Sequence, residues 1–310
     1  KMSFSNDVKN EIARLELGEK DECLSEITAL FRVNGTLNYS AGNFSLRFLT
    51  ENNPMARRIY SIFKKLYSYE AGIQISNNNQ LRRKSNYRII IDNPNIVEKF
   101  LTDAGFEVSQ FALYDENIKK ELINTDAKRR AYIRGSFLGA GSVINPERHY
   151  HLEIVTSSDG YSKNIIKLLK SFNISSNKIE RKNNSIIYLK DSEMISDFLS
   201  LVGAYQALLK LENIRALRDL KNNVNRVINC ETANMDKTID AGLKQVKAIK
   251  KIDEKIGIEN LPENLKVVAN LRLQHPAYSL KQIGESVNPP IGKSGVNHRL
   301  KKLLDIAKEL

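Results

Sequence analysis

One repeated helix layout constrains this chain more than anything else in it. Ile133-Arg134-Gly135-Ser136-Phe137-Leu138-Gly139-Ala140-Gly141 reads as an apolar helix carrying two glycines and stopping at a third. Glycine inside a helix costs about 0.5–1 kcal/mol relative to alanine. Gly135 and Gly139 lie four apart and share one face, so the expected compensation is a second helix packed close against it. Ile27-Thr28-Ala29-Leu30-Phe31-Arg32-Val33-Asn34-Gly35 has the same layout 106 residues earlier. The expected axis residues are therefore Ala29, Val33 and Gly35 on one helix and Gly135, Gly139 and Gly141 on the other.

The pattern downstream of each helix repeats as well. Thr36–Tyr39 and Phe44–Thr50 read as a hairpin, and Asn53-Pro54 opens a helix carrying Ile59, Ile62, Phe63 and Leu66. Gln74–Ile75 and Tyr87–Ile91 read as strands, and Asn93-Pro94 opens a helix ending at Gly105. The second pass gives strands at Ser142–Ile144 and Tyr150–Thr156, then a helix capped by Asp159 or Ser162. Strands at Ser176–Arg181 and Ile186–Leu189 follow, then a helix from Asp191 or Ser192 to Gly203. Apolar alternation and turn residues carry the strand assignments, caps the helix starts. The expected fold class is α+β: two pseudo-symmetric αββαββα repeats followed by an all-α domain.

Beyond Gly203 the pattern is helical. The Asn-rich stretch 222–229 favours caps and turns, so a junction is expected there. Ser279 with Gln282 forms a capping box ahead of a short helix. Asn288-Pro289-Pro290-Ile291-Gly292 breaks it, and Ser294 is the expected cap of a last helix with Val296, Leu300 and Leu303 inward. Its outer face shows Lys293, Asn297, His298, Arg299, Lys301 and Lys302, a helix-turn-helix layout. The expected domains are an N-terminal helix at 1–21, repeat 1 with a connecting segment at 22–127, and repeat 2 at 128–204. A helical linker at 205–231 and a helical domain at 232–310 follow, with the helix-turn-helix at 276–308.

The net charge of +12 and pI near 9.5 point to a polyanionic partner, nucleic acid first and an anionic membrane surface second. From Tyr205 onward the balance is 19 basic against 12 acidic residues, so that third is the more basic per residue. No apolar run approaches the roughly 18 residues of a membrane span. The polar start lacks a signal-peptide core. Two distant cysteines, Cys23 and Cys230, suggest neither a disulfide framework nor a metal knuckle. A cytoplasmic, nucleoid-associated location is the expectation, without cofactor or metal.

The paired motifs resemble the LAGLIDADG family of homing endonucleases, whose two central helices pack at a pseudo-two-fold axis and whose hairpins build a saddle-shaped DNA-binding sheet. Together with the helix-turn-helix, the chain resembles the WhiA family of bacterial regulators over nearly its whole length. Tyr132–Val143, Tyr150–Ile154, Asn225-Arg226 and Asn229–Asn234 carry that likeness. The resemblance implies a transcriptional regulator linked to cell division, chromosome segregation and sporulation. It also implies that the residue before each final glycine would be a metal-binding acid in a nuclease. Here Asn34 and Ala140 stand at those positions. Mg²⁺ is normally held through carboxylates and phosphate, so the expected reading is non-enzymatic.

The expected partner is double-stranded DNA. The helix-turn-helix candidates are Ser279, Lys281, Gln282, Lys293, Ser294, Asn297, His298, Arg299, Lys301 and Lys302. Asn297 suits an adenine edge, His298 or Lys301 a guanine edge, and Lys293 and Ser294 a phosphate. A second phosphate-contacting surface could involve Arg47, Arg82, Arg83, Lys84, Arg88, Arg148, Arg181, Lys182 and Lys190, on or between strands. His149 and His151, expected on one strand face, read as ordinary polar residues. Two rivals stand beside this reading. One is a residual metal-dependent endonuclease using Glu147 or Glu153. The other is a scaffold docking another transcriptional regulator or an RNA polymerase component.

Overall fold

The computed structural model describes all residues except 1, 2, 41, 78–84, 110, 111 and 114–116. Helix α1 (Phe4–Ala13) precedes repeat 1: α2 (Lys20–Asn34), β1 (Gly35–Ser40), β2 (Asn43–Thr50), α3 (Asn53–Tyr67), β3 (Gly72–Asn77), β4 (Ser85–Ile91) and α4 (Pro94–Ala104). A two-stranded ribbon, β5 (Val108–Ser109) and β6 (Ala112–Leu113), lies in the connecting segment. Repeat 2 is α5 (Asp126–Ala140), β7 (Gly141–Val143), β8 (Leu152–Thr156), α6 (Asp159–Lys170), β9 (Asn177–Arg181), β10 (Asn184–Leu189) and α7 (Ser192–Val202). The four-stranded antiparallel sheets have matching orders, β1-β2-β4-β3 and β7-β8-β10-β9. This is the α+β duplication that the sequence pattern implies.

The remainder is helical: α8 (Tyr205–Ile256), α9 (Glu263–Gln274), α10 (Leu280–Ser286) and α11 (Lys293–Glu309). The chain divides into two compact units, Lys1–Leu217 and Arg218–Leu310. Phe31 of α2 stands edge-on to Phe48, Phe100 and Phe106 at 5.4–5.5 Å in the first core. Edge-to-face aromatic pairs add to the area they bury.

Helices α2 and α5 meet as expected. A Cβ on Gly135 would overlap the Glu26 carbonyl oxygen and lie 3.1 Å from the Ala29 methyl. One on Gly139 would overlap a Val33 methyl and lie 3.4 Å from the Leu30 carbonyl. Gly35 and Gly141 do a different job. A Cβ there would overlap the ring of Phe31 or Phe137, each four residues earlier on its own helix. Gly135→Ala should therefore lose about 1–3 kcal/mol by overpacking, despite alanine's better helix propensity. Urea unfolding monitored by circular dichroism measures it.

Several local expectations are corrected. The Asn-rich stretch 222–229 forms no turn or cap: α8 runs through it unbroken. Each asparagine costs only a few tenths of a kcal/mol in a helix, and no proline interrupts the stretch. Helix α6 is capped by Ser158, whose oxygen accepts from the Tyr161 amide at 3.0 Å. Helix α11 starts from Gly292, with Ser294 already in its first turn. Strand β8 begins at Leu152, so His149 and His151 precede it. His151 reaches Glu153 at 3.3 Å and stacks on Tyr188.

On α1, burial pushes the Lys9 ammonium down from 10.5 to about 8. The unfolded chain then holds that proton more tightly, so stability should rise with pH between about 8 and 10.5. Lys9→Met should flatten that rise, seen in urea midpoints across the window.

Candidate nucleic-acid interface

In the C-terminal unit, Leu265, Val268 and Ala269 of α9, Ile283 of α10 and Val296, Leu300, Leu303 and Ala307 of α11 share one core with Ile249 and Ile252 of α8. The Ser279 hydroxyl accepts from the Gln282 amide at 3.3 Å, and the Gln282 side chain accepts from the Ser279 amide at 2.8 Å, closing the capping box. The turn after α10 folds back tightly. The Ile291 amide donates to the Gly284 carbonyl at 3.0 Å, and a Cβ on Gly284 would overlap the Ile291 carbonyl oxygen. Glycine at 284 lets the turn close onto α10 and deliver the chain into α11.

Helical spacing sends the inward residues of α11 to the core and the others to solvent. Lys293, Ser294, Asn297, His298, Lys301 and Lys302 are all exposed. The ten helix-turn-helix candidates thus divide by role. Ser279 and Gln282 spend their backbone-facing groups on the cap, and Lys281 pairs loosely with Glu285 at 3.8 Å. Arg299 is half-buried and turns back to the Asn264 carbonyl at 3.4 Å, tying α11 to α9. The open polar-basic surface is the N-terminal half of α11.

The residue that sequence reasoning missed is Arg272. It is buried at 2% exposure near the end of α9. Its Nη1 donates to the carbonyls of Tyr278 at 2.7 Å, Pro276 at 3.1 Å and His275 at 3.4 Å. Burial lowers its pKa. The guanidinium fixes the segment that leads into α10, and its fork supplies donors where that backbone offers only oxygens. On the chain, Arg272 looks like any basic residue at a helix C-terminus. Arg272→Met keeps the bulk and strands those carbonyls. It should cost about 1–3 kcal/mol in the C-terminal unit, measured by denaturant unfolding.

In the N-terminal unit the register decides which basic residues share a face. Phe48 and Ile89 are paired and buried, so their neighbours Arg47 and Arg88 point to the opposite, outer face. In the second sheet Leu152, Ile154, Ile187 and Leu189 are buried, and Arg181 lies at the outer end of β9. Lys182 occupies the β9–β10 turn with positive φ, like Asn183. Arg148 lies in the β7–β8 turn, and the Lys190 ammonium sits 5.1 Å above the Tyr188 ring. Arg82, Arg83 and Lys84 lie outside the described residues.

At the ends of the paired helices stand Asn34, whose Oδ1 is buried without a hydrogen-bond partner, and Ala140. The nearby Glu153 is engaged by Ser142 at 3.2 Å and by His151. Among the described residues no group of three or more His, Cys, Asp or Glu is placed to hold a metal ion. One neutral amide oxygen and a methyl group do not fit a hard divalent cation. Among the described residues no helix is long and apolar enough to cross a membrane.

Comparison with known proteins agrees with this layout. Residues 20–106 match the family model of the WhiA N-terminal LAGLIDADG-like domain, 129–221 that of the WhiA LAGLIDADG-like domain, and 224–307 that of the WhiA C-terminal HTH domain. The chain is 45% identical over 312 residues to a protein of Clostridium botulinum (strain Hall) named "Probable cell division protein WhiA", covering 100% of this chain and 99% of the relative. It is 44% identical over 311 residues to the protein of that name from Clostridium perfringens (strain 13), covering 100% and 98%. Full-length DUF199/WhiA from Thermatoga maritima superposes with a TM-score of 0.61 at 27% identity, covering 100% of this chain and 99% of that one. The N-terminal LAGLIDADG domain of DUF199/WhiA gives 0.51 at 26% identity, covering 66% and 91%. Two LAGLIDADG-like repeats joined to a helix-turn-helix, matched along the whole length, place this chain in the WhiA family.

Proposed function

We propose that the chain is a non-enzymatic, sequence-specific binder of double-stranded DNA that regulates transcription from the nucleoid. The observation that carries this is the exposed polar-basic start of α11, held behind a capped and glycine-sealed α10. A helix of that kind can enter the major groove N-terminus first, with Asn297 and Lys301 offered to base edges and Lys293 and Ser294 to phosphates. Arg47, Arg88, Arg181, Lys182 and Lys190 would add contacts from the sheet side. The names of the Clostridium relatives support a role in cell division. The family resemblance extends that reading to chromosome segregation and sporulation.

Binding of the full-length chain to random duplexes, titrated with salt, tests the proposal. One enriched sequence is expected, with a slope of about −0.9 in log affinity against log salt for each phosphate neutralised. Equal affinity for all sequences would overturn it. The donor set at Asn34 and Ala140 supports the non-catalytic reading. Supercoiled plasmid incubated with excess protein and magnesium should stay intact, and a linear product would restore the endonuclease alternative.

A further inference from the structure

The line of side chains that begins with Asn297 and Lys301 does not stop in the middle of α11. Leu304 and Lys308 continue it at i+7 and i+11, about 16 Å from Asn297 to Lys308 at 1.5 Å per residue. There α11 meets α8: the Lys251 ammonium donates to the Ala307 carbonyl at 3.0 Å. A groove of about 710 Å³ opens at that junction, lined by Lys244, Lys247, Lys250, Lys251 and Lys308 against one carboxylate, Glu254. We propose, resting on α11 as the helix that meets DNA, that this lysine edge of α8 grips the phosphate backbone of the duplex whose bases α11 reads.

Lys244, Lys247 and Lys250 are exposed, and among the described residues none of the three has an ion-pair or hydrogen-bond partner. Lys244, Lys247 and Lys251 follow i, i+3, i+7 and share a face of α8. The carboxylates on that side, Asp240 and Glu254, stand at the two ends of the row and bound the patch. Lys308 is already paired with Asp305 at 3.1 Å, so the unspent charge is on α8. Packed helices lie about 8–10 Å apart, and the major groove is about 12 Å wide. A helix seated in that groove therefore holds its packed neighbour over one of the flanking strands. The reading helix of a homeodomain likewise touches the backbone at its C-terminal end. Leu243, Val246 and Leu304 line the groove as well, and give the lysine stems an apolar surface while the ammoniums reach outward. An acidic protein segment would meet the same charges, but continuity with the Asn297–Lys301 line favours DNA. Contacts of this kind add affinity and register without reading sequence.

Salt-titrated binding of the full-length chain to the selected duplex and to random duplexes tests the patch. Lys244→Gln with Lys247→Gln should lower the slope of log affinity against log salt by about 1.8, at about 0.9 for each phosphate. Both kinds of duplex should weaken by the same factor, with the preferred sequence and the far-ultraviolet dichroism unchanged. Lys244→Arg with Lys247→Arg should keep the original slope, since either cation neutralises a phosphate. Lys167→Gln with Lys170→Gln removes the same charge from exposed positions on α6 and should leave the slope alone. An unchanged slope for the α8 pair, with specific binding intact, would overturn the proposal and leave the groove to an acidic protein segment. An equal loss for the α6 pair would overturn it too, by showing a net-charge effect. A chain that selects no sequence but loses the slope only with the α8 pair would support the patch while removing sequence-specific reading, so the two fail separately.

Discussion

Glu26→Ala should remove about 3–5 kcal/mol from the N-terminal unit, a large share of the roughly 5–15 kcal/mol a domain has. Glu26 lies on α2 with its side chain 3% exposed. It takes a two-pronged bond from Arg58 of α3, one prong at 2.9 Å, and a bond from Arg134 of α5 at 3.2 Å. Burial opposes the charge on Arg58, and the bond and charge of Glu26 more than reverse that, so its pKa rises. Removing the carboxylate leaves two guanidinium groups in a dry site without a counter-charge. Glu26→Gln keeps the shape and should be nearly as costly. Replacing Glu26, Arg58 and Arg134 together by apolar residues should recover part of the loss. Recovery stays partial because Arg58 also donates to the Leu15 carbonyl at 2.6 Å and Arg134 to that of Val202 at 3.2 Å. Urea denaturation of the four proteins gives the series. A loss under about 1 kcal/mol for Glu26→Ala would mean the cluster behaves like a hydrated surface pair.

Asn297→Ala with Lys301→Ala should weaken binding to the selected DNA site by about 2–6 kcal/mol, from 1–3 kcal/mol for each good base contact. Both side chains are exposed, and α11 is held by Val296, Leu300 and Leu303, so folding should be unaffected. The pattern of loss separates roles. Loss of a base contact should relax preference at one position of the site. Loss of a phosphate contact should weaken all sequences alike and reduce the salt slope by about one unit. Binding to the selected site that survives the double substitution would remove α11 as the reading helix.

The α2–α5 pair was legible because two helical glycines on one face have few explanations other than a close neighbour. The helix-turn-helix was legible because Ser279 and Gln282 sit at cap spacing and the Pro-Pro-Ile-Gly run cannot be helical. Continuity of α8 was not legible. Asparagine composition signals a turn, but several small propensity penalties do not break a helix that keeps its backbone bonds. Glu26 and Arg272 were invisible for a shared reason. Each looks like a surface charge at helical spacing, and only the partners brought by distant segments show that it is buried. Arg299 misled in the opposite sense, since a basic residue beside Asn297 and His298 gives no hint that it turns back to Asn264.

The axis between the two repeats is a lock with unlike halves. Helix α5 supplies the hollows at Gly135 and Gly139, and α2 supplies the studs, Ala29 and Val33. Two α2 helices brought together would drive Val33 against Val33. Two α5 helices would leave the volume of those methyl groups empty, at about 24 cal/mol per Å³ of void. Neither repeat can therefore replace the other by pairing with its own kind. During synthesis, when many nascent chains expose α2 before α5 exists, the mismatch keeps early halves from sorting with one another and reserves each for the partner on its own chain.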